Sequence, residues 1–162
     1  MLSLSLLLGE RRDEPSSAPQ SDCPLCSSDG GTLIWRGAFW RLISVDDPQL
    51  PGYVRLVLNR HCTELTQLSK IEREQLLVLT LVIEDQMRDL LAPDKINHAS
   101  LGNQVAHVHW HIVARFRDDP FFPNAIWAAP QRTTAADVLA VRGQQAQMFL
   151  AGLAAVCAKA VY

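Results

Sequence analysis

The chain has 162 residues, of which 48% are hydrophobic and 20% charged, with a formal net charge of −2. This length suits one domain around one core. The near-neutral charge argues against a broad nucleic-acid surface while leaving room for a small nucleotide ligand.

The apolar run Leu2 to Leu8 is too short to span a bilayer. No basic residue precedes it and Arg11-Arg12 follow it, so it is a poor secretory signal. The sequence thus predicts a cytoplasmic protein without a membrane partner, whose four cysteines are thiols or metal ligands rather than disulfides. Residues 1–20 are charged and Pro/Ser-rich without periodicity, and read as a flexible leader. A folded domain is expected over 21–130, with a helical extension over 131–162 packed on it. Cys23-Pro24-Leu25-Cys26 opens the domain. Thr32–Trp35 and Phe39–Val45 read as strands joined by a turn at Gly37. Asp46 to Gly52 is a loop by its Asp, Pro and Gly content, and Tyr53–Leu58 is the next strand.

Ser69 and Glu72 form a capping box that starts a helix running to Leu91, before Pro93. Leu76, Leu79, Ile83, Met87, Leu90 and Leu91 are spaced for its buried face. Lys95–Leu101 is a short strand, and Gly102-Asn103-Gln104 turn or bulge the chain into a last strand running to Phe116. Asp118-Asp119-Pro120 end that strand, and Thr133 or Thr134 caps a C-terminal helix through Ala160, weakly interrupted at Gly143 and Gly152. The order β-β-β-α-β-β-α predicts an α+β fold, an antiparallel sheet with a core helix on one face and an additional C-terminal helix.

Three of the five histidines fall in the last strand, at 107, 109 and 111. Alternation in a strand puts His107, His109 and His111 on one face and Val108, Trp110 and Ile112 on the other. A helix, at ~100° per residue, would scatter them. Stacked imidazoles are costly as core filling, because each brings two ring nitrogens that need partners. A neutral imidazole can attack phosphorus and form a covalent intermediate. The middle histidine has an imidazole on either side, and repulsion between protonated neighbours helps keep it neutral.

The stretch His107-Val108-His109-Trp110-His111-Ile112-Val113 resembles the histidine-triad motif of the HIT superfamily of nucleotide hydrolases and transferases. Cys23–Cys26, Pro51–His61, Ala99–Asn103 and Phe122–Trp127 also resemble, in order, a bacterial zinc-containing branch of it similar to diadenosine polyphosphate hydrolases. Ala106 departs from that branch, which has proline there. The resemblance implies the HIT sheet, a homodimer, and cleavage of a phosphoanhydride or phosphoramidate at the α-phosphate of a purine nucleotide or dinucleoside polyphosphate. It makes His109 the nucleophile, with a nucleotidyl-histidine intermediate. His111 is read beside it as the support, a neighbouring imidazole that can fix the tautomer or bind a phosphoryl oxygen. The resemblance puts a polar amide on the α-phosphate at Asn103, with Gln104 as the neighbouring candidate. Asn97 and the Asp46-Asp47 pair are the candidates for ribose hydroxyls. The alternative is a nucleotide-binding regulatory protein with little turnover.

On its own, Cys23-x-x-Cys26 fits a redox pair, a zinc half-site or two ordinary cysteines. The absence of a βαβ pattern around it weakens the redox reading. The resemblance completes a structural zinc site with His61 and His107. His98 is an extra histidine that competes with His107 for that place, whereas Cys62 and Cys157 match no ligand spacing and read as packing residues.

Overall fold

The computed structural model describes residues 18–161, so most of the expected leader lies outside the described residues. The elements are α1 (Pro24–Ser27), β1 (Thr32–Arg36), β2 (Trp40–Ser44), β3 (Val54–Leu58), a 3-10 turn (Leu65–Gln67), α2 (Lys70–Leu91), β4 (Lys95–Ala99), β5 (His109–Arg115) and α3 (Ala136–Ala160). The strands form one antiparallel sheet in the order β1-β2-β3-β5-β4. This is the α+β architecture the element order predicted, and the sheet is the one the motif resemblance implied. No helix among the described residues is long and apolar enough to cross a membrane.

Alternation divides the sheet into two faces. Trp40, Leu42, Val54, Leu56, Leu58, Ile112 and Ala114 form the core together with Leu79, Ile83 and Met87 of α2 and Phe149 and Leu153 of α3. Burial of these side chains supplies most of the driving force for folding, at about 25 cal/mol per Å² of apolar surface. The residues between them, including Arg55, His109 and His111, belong to the opposite face, where they line a cavity.

Helix α2 begins as its sequence dictates. The Ser69 hydroxyl accepts from the Glu72 amide, and the Glu72 carboxylate accepts from the Ser69 amide at 2.7 Å. Glu72 also takes both arms of Arg60, at 2.7 and 2.8 Å, tying the helix start to the segment after β3. Trp40 Nε1 donates to the Glu72 carbonyl at 3.0 Å. The helix ends at Ala92, whose φ of 46° is left-handed, and Pro93 prevents continuation. Leu91 takes the buried place at the last turn, so Leu90, about 100° round the helix, is 37% exposed.

Four expectations are corrected here. First, β4 ends at Ala99 rather than Leu101. Second, β5 starts at His109, so His107 precedes the ladder. The His107 amide bonds to the nearby Val105 carbonyl and the Val108 amide to the Cys62 carbonyl, which bends this stretch towards the loop after β3. Third, neither threonine caps α3. Its N-cap is Ala135, and Thr134 instead donates to the Asp118 carbonyl at 2.8 Å. Fourth, Gly143 and Gly152 do not interrupt α3, which runs unbroken across the back of α2.

Candidate active site and metal centre

The bend before β5 separates the triad into two jobs. His107 turns to one side and joins Cys23 and Cys26 of the α1 knuckle and His61 of the loop after β3. The ligand atoms all lie within 4.8 Å of one another. The His107 Nδ1 is 3.5 Å from Cys23 Sγ and 3.6 Å from Cys26 Sγ, and Cys26 Sγ is 3.3 Å from His61 Nδ1. Four donors around a tetrahedral zinc, at ~2.0–2.3 Å from it, stand about 3.3–3.8 Å apart. Three of the donor pairs stand at that spacing, and two thiols with two imidazoles are a donor set that suits zinc. The Nε2–H of His107 donates to the Leu58 carbonyl at 2.8 Å, leaving Nδ1 with the lone pair that a ligand needs. His98 is elsewhere: it sits on β4 and pairs with Glu84 of α2 at 2.7 Å. Cys62 and Cys157 are buried away from the cluster, and burial pushes the Cys157 thiol up to about 12.

His109 and His111 face the other way. They line a cavity of about 330 Å³ with Arg55, Asn103, Gln104 and Trp127. The Nδ1 of His109 meets the His107 carbonyl oxygen at 2.6 Å. A carbonyl only accepts, so Nδ1 carries the proton and a neutral His109 keeps its lone pair on Nε2. Burial favours that neutral form, outweighing the hydrogen bond to His107, and the nearby Arg55 cation adds to it. His111 Nδ1 is hydrogen-bonded to the Tyr53 hydroxyl, and the rings of His109 and His111 meet edge to face at 4.8 Å. Burial, followed by His109 and Arg55, pushes the His111 imidazole down to about 3. Trp127 sets its ring against His111 at 5.2 Å and is 53% exposed.

A buried ion pair holds the segment that carries Trp127. Arg115, at the end of β5, grips Asp119 with Nε at 2.7 Å and Nη2 at 3.1 Å, and reaches the Asn124 carbonyl at 3.0 Å. The Asp119 carboxylate also accepts from the amides of Phe121 and Phe122, both at 2.8 Å. Burial opposes its ionisation, but Arg115 and these amides outweigh that and hold the carboxyl below the usual carboxylate range.

Asn103 and Gln104 therefore share the cavity with His109 and His111, whereas Asn97 and Asp46 do not. Asn97 accepts from Arg115 at 2.7 Å, as part of the loop anchor. Asp46 is held by Ser44 and Thr32, each at 2.5 Å, in a left-handed turn with φ of 56°. With Asp47 it lines a separate groove against α3. Sequence reasoning gave no role to Tyr53, Arg55 or Trp127. The available signal for Arg55 was a lone cation in the apolar run Val54-Arg55-Leu56-Val57-Leu58.

Residues 40–118 match the family model of the HIT domain. These residues carry a HIT domain. Curated relatives include AP-4-A phosphorylases from two strains of Mycobacterium tuberculosis. Each is 28% identical over 126 residues, 72% of this chain and 65% of the relative, so the chain spans just under two thirds of their length. Among solved structures, a histidine triad protein from Marinobacter aquaeolei VT8 is 25% identical, with a TM-score of 0.60 over 75% of this chain and 90% of that one. A histidine triad protein from Bradyrhizobium japonicum is 21% identical, with a TM-score of 0.63 over 91% and 100%. A Zn-bound histidine triad family protein from Mycobacterium smegmatis is 19% identical, with a TM-score of 0.54 over 80% and 88%. The last two are similar to this chain in fold.

Proposed function

We propose that this protein is a nucleotide hydrolase or nucleotidyl transferase that cleaves a phosphoanhydride or phosphoramidate at the α-phosphate through a nucleotidyl-His109 intermediate. The observation that carries the reading is the tautomer of His109, whose Nδ1–H is committed to the His107 carbonyl. Nε2 is then the nitrogen left for the cavity that His109 lines. In the first step Nε2 attacks the α-phosphorus, the P–N bond forms, and the bond to the leaving group breaks with its electron pair. Water, or a second acceptor, then displaces Nε2 and releases the nucleotide. Asn103 and Gln104 donate to the oxygens on which charge builds. His111 buttresses the His109 ring from one side, itself fixed by Tyr53.

Diadenosine polyphosphates are the proposed substrates, supported by curated relatives named for AP-4-A. A structural zinc on Cys23, Cys26, His61 and His107 is proposed from the donor set and its spacing. Bound there, it would clamp the α1 knuckle to the segment that bears the His109 anchor. A homodimer is proposed through the outer edge of α2, where Leu77 is 61%, Val78 40% and Leu81 56% exposed, beside Val82. A cytoplasmic location fits this chemistry.

The test is a panel of diadenosine polyphosphates and adenosine phosphoramidate, run with and without inorganic phosphate. Mass spectrometry reads both products and protein adducts. Turnover with an adduct on His109 supports the proposal. Tight binding without turnover or adduct supports the regulatory alternative.

A further inference from the structure

Arg55 is the anomaly of the catalytic cavity. The two buried arginines among the described residues are fully engaged. Arg41 donates to the carbonyls of Leu25, Ser28, Asp29 and Leu58, and Arg115 to Asp119, Asn97 and Asn124. Arg55 lines the cavity, yet its buried Nε has no hydrogen-bond partner among the described residues. No carboxylate among the described residues makes a salt bridge to it. Its guanidinium lies 5.5 Å from the centroid of the Tyr53 ring, and its neighbours His111 and Tyr53 are uncharged, since burial pushes the imidazole down and the phenol up. A half-buried cation without a counter-charge is costly and is rarely kept without a compensating anion. A cavity in which that cation stands beside two imidazoles is built for a bound anion.

The register says which anion. Arg55 pairs with His111 across β3 and β5, while His109 pairs with Val57. One two-residue step along a strand is about 6.6 Å. A group held by Arg55 thus lies beyond the phosphorus that His109 attacks.

We propose that Arg55 binds a phosphate adjoining the attacked one, on the leaving-group side, so that the site selects substrates with a polyphosphate chain over phosphoramidates. This rests on His109 being the nucleophile. The same chemistry would serve a free phosphate entering as acceptor, and the experiment separates the two sources. Guanidinium meets phosphate with paired, charge-assisted hydrogen bonds, a geometry that lysine does not reproduce.

The experiment compares wild type, Arg55→Gln and Arg55→Lys on two substrates sharing one nucleoside, a diadenosine polyphosphate and adenosine phosphoramidate. With phosphate omitted, Arg55→Gln should lose about ten- to a hundred-fold in kcat/KM on the polyphosphate, the scale of one charged hydrogen-bond pair. On the phosphoramidate it should lose less than about threefold. Arg55→Lys should recover part of the loss. A loss confined to phosphate-dependent turnover assigns Arg55 to an entering phosphate and overturns the substrate selection. Equal losses on both substrates, or none, overturn the proposal. Thermal melting controls for folding, and removing an unpaired cation should leave the midpoint unchanged or raised.

A binding arm keeps the outcome independent of turnover. ATP should bind the wild type more tightly than adenosine does, and Arg55→Gln should lose most of that difference. If the wild type turns over neither substrate, the proposed function fails, while the binding arm still decides Arg55. An unchanged ATP-to-adenosine ratio in Arg55→Gln overturns the role.

Discussion

The Nδ1–H of His109 donates to the carbonyl oxygen of His107 at 2.6 Å. The same His107 turns its own Nδ1 towards the sulfurs of Cys23 and Cys26, at 3.5 and 3.6 Å. One residue therefore faces the Cys2His2 cluster with its ring and the proposed nucleophile with its backbone. Whatever fixes His107 also fixes the tautomer and aim of His109.

This link gives the first prediction. Purified protein should carry about one zinc per chain, the stoichiometry of a single structural tetrahedral site. Cys23→Ser should lose the metal and melt at a markedly lower temperature, because structural zinc binding contributes directly to folding free energy. Turnover should fall too, although Cys23 touches no substrate. Elemental analysis beside a thermal melt checks this. Full zinc retention in Cys23→Ser would contradict the ligand set.

The Arg115–Asp119 pair is buried on both sides. Asp119→Ala leaves a buried guanidinium uncompensated and frees the amides of Phe121 and Phe122. Urea unfolding should read a loss of about 3–5 kcal/mol. Trp127 fluorescence should also report a loosened segment, since Asp119 anchors the turn that leads to it. A loss within experimental error would show that the anchor is dispensable.

Stability should fall with acidification below neutrality. The His111 imidazole sits at about 3 in the fold, against about 6.5 in the unfolded chain. Between those values the unfolded chain binds a proton that the native state excludes, so stability rises with pH through this window and is complete above it. The slope from this group is at most about 1.4 kcal/mol per pH unit. Asp119, held below the usual carboxylate range, adds a second loss as pH falls through its folded value. Urea unfolding of wild type and His111→Gln from pH 7 to pH 4.5 checks the sign. The variant should show a flatter dependence, and parallel profiles would count against the assignment.

The outer edge of α2 should hold two copies together. Leu81→Glu places a charge amid Leu77, Val78 and Val82, away from the core residues Leu79 and Ile83. Sedimentation at micromolar concentration should find a dimer for the wild type and a monomer for the variant. A wild-type monomer would sink this interface.

Much of this was legible in the chain because the signals are local and periodic. The capping box at Ser69 and Glu72 and the alternation from His107 to Val113 need only neighbours to be read. What escaped depends on contacts distant in sequence. Nothing local to His107 says that Val108 bonds to the Cys62 carbonyl and pulls the first histidine off the strand. Asn97 is by sequence one candidate for a ribose hydroxyl, and its partner is Arg115 on the neighbouring strand. Thr134 looked like a cap because threonine before an apolar run usually is one, yet its hydroxyl is spent on the Asp118 carbonyl. Arg55 stands out only once β3 is laid beside β5 and its buried Nε is found without a hydrogen-bond partner among the described residues.

The central claim is that His109 attacks phosphorus through Nε2. Quenching the protein with acid during turnover of a diadenosine polyphosphate, followed by intact-mass and peptide analysis, tests it most directly. The wild type should carry an adduct heavier by one nucleoside monophosphate less water, mapped to His109. His109→Ala should carry none and should lose turnover by several orders of magnitude, as when a covalent nucleophile is deleted. Its nucleotide affinity should change little, because Asn103, Gln104 and Arg55 remain. An adduct on another residue, or a His109→Ala protein turning over at the wild-type rate, would contradict the account.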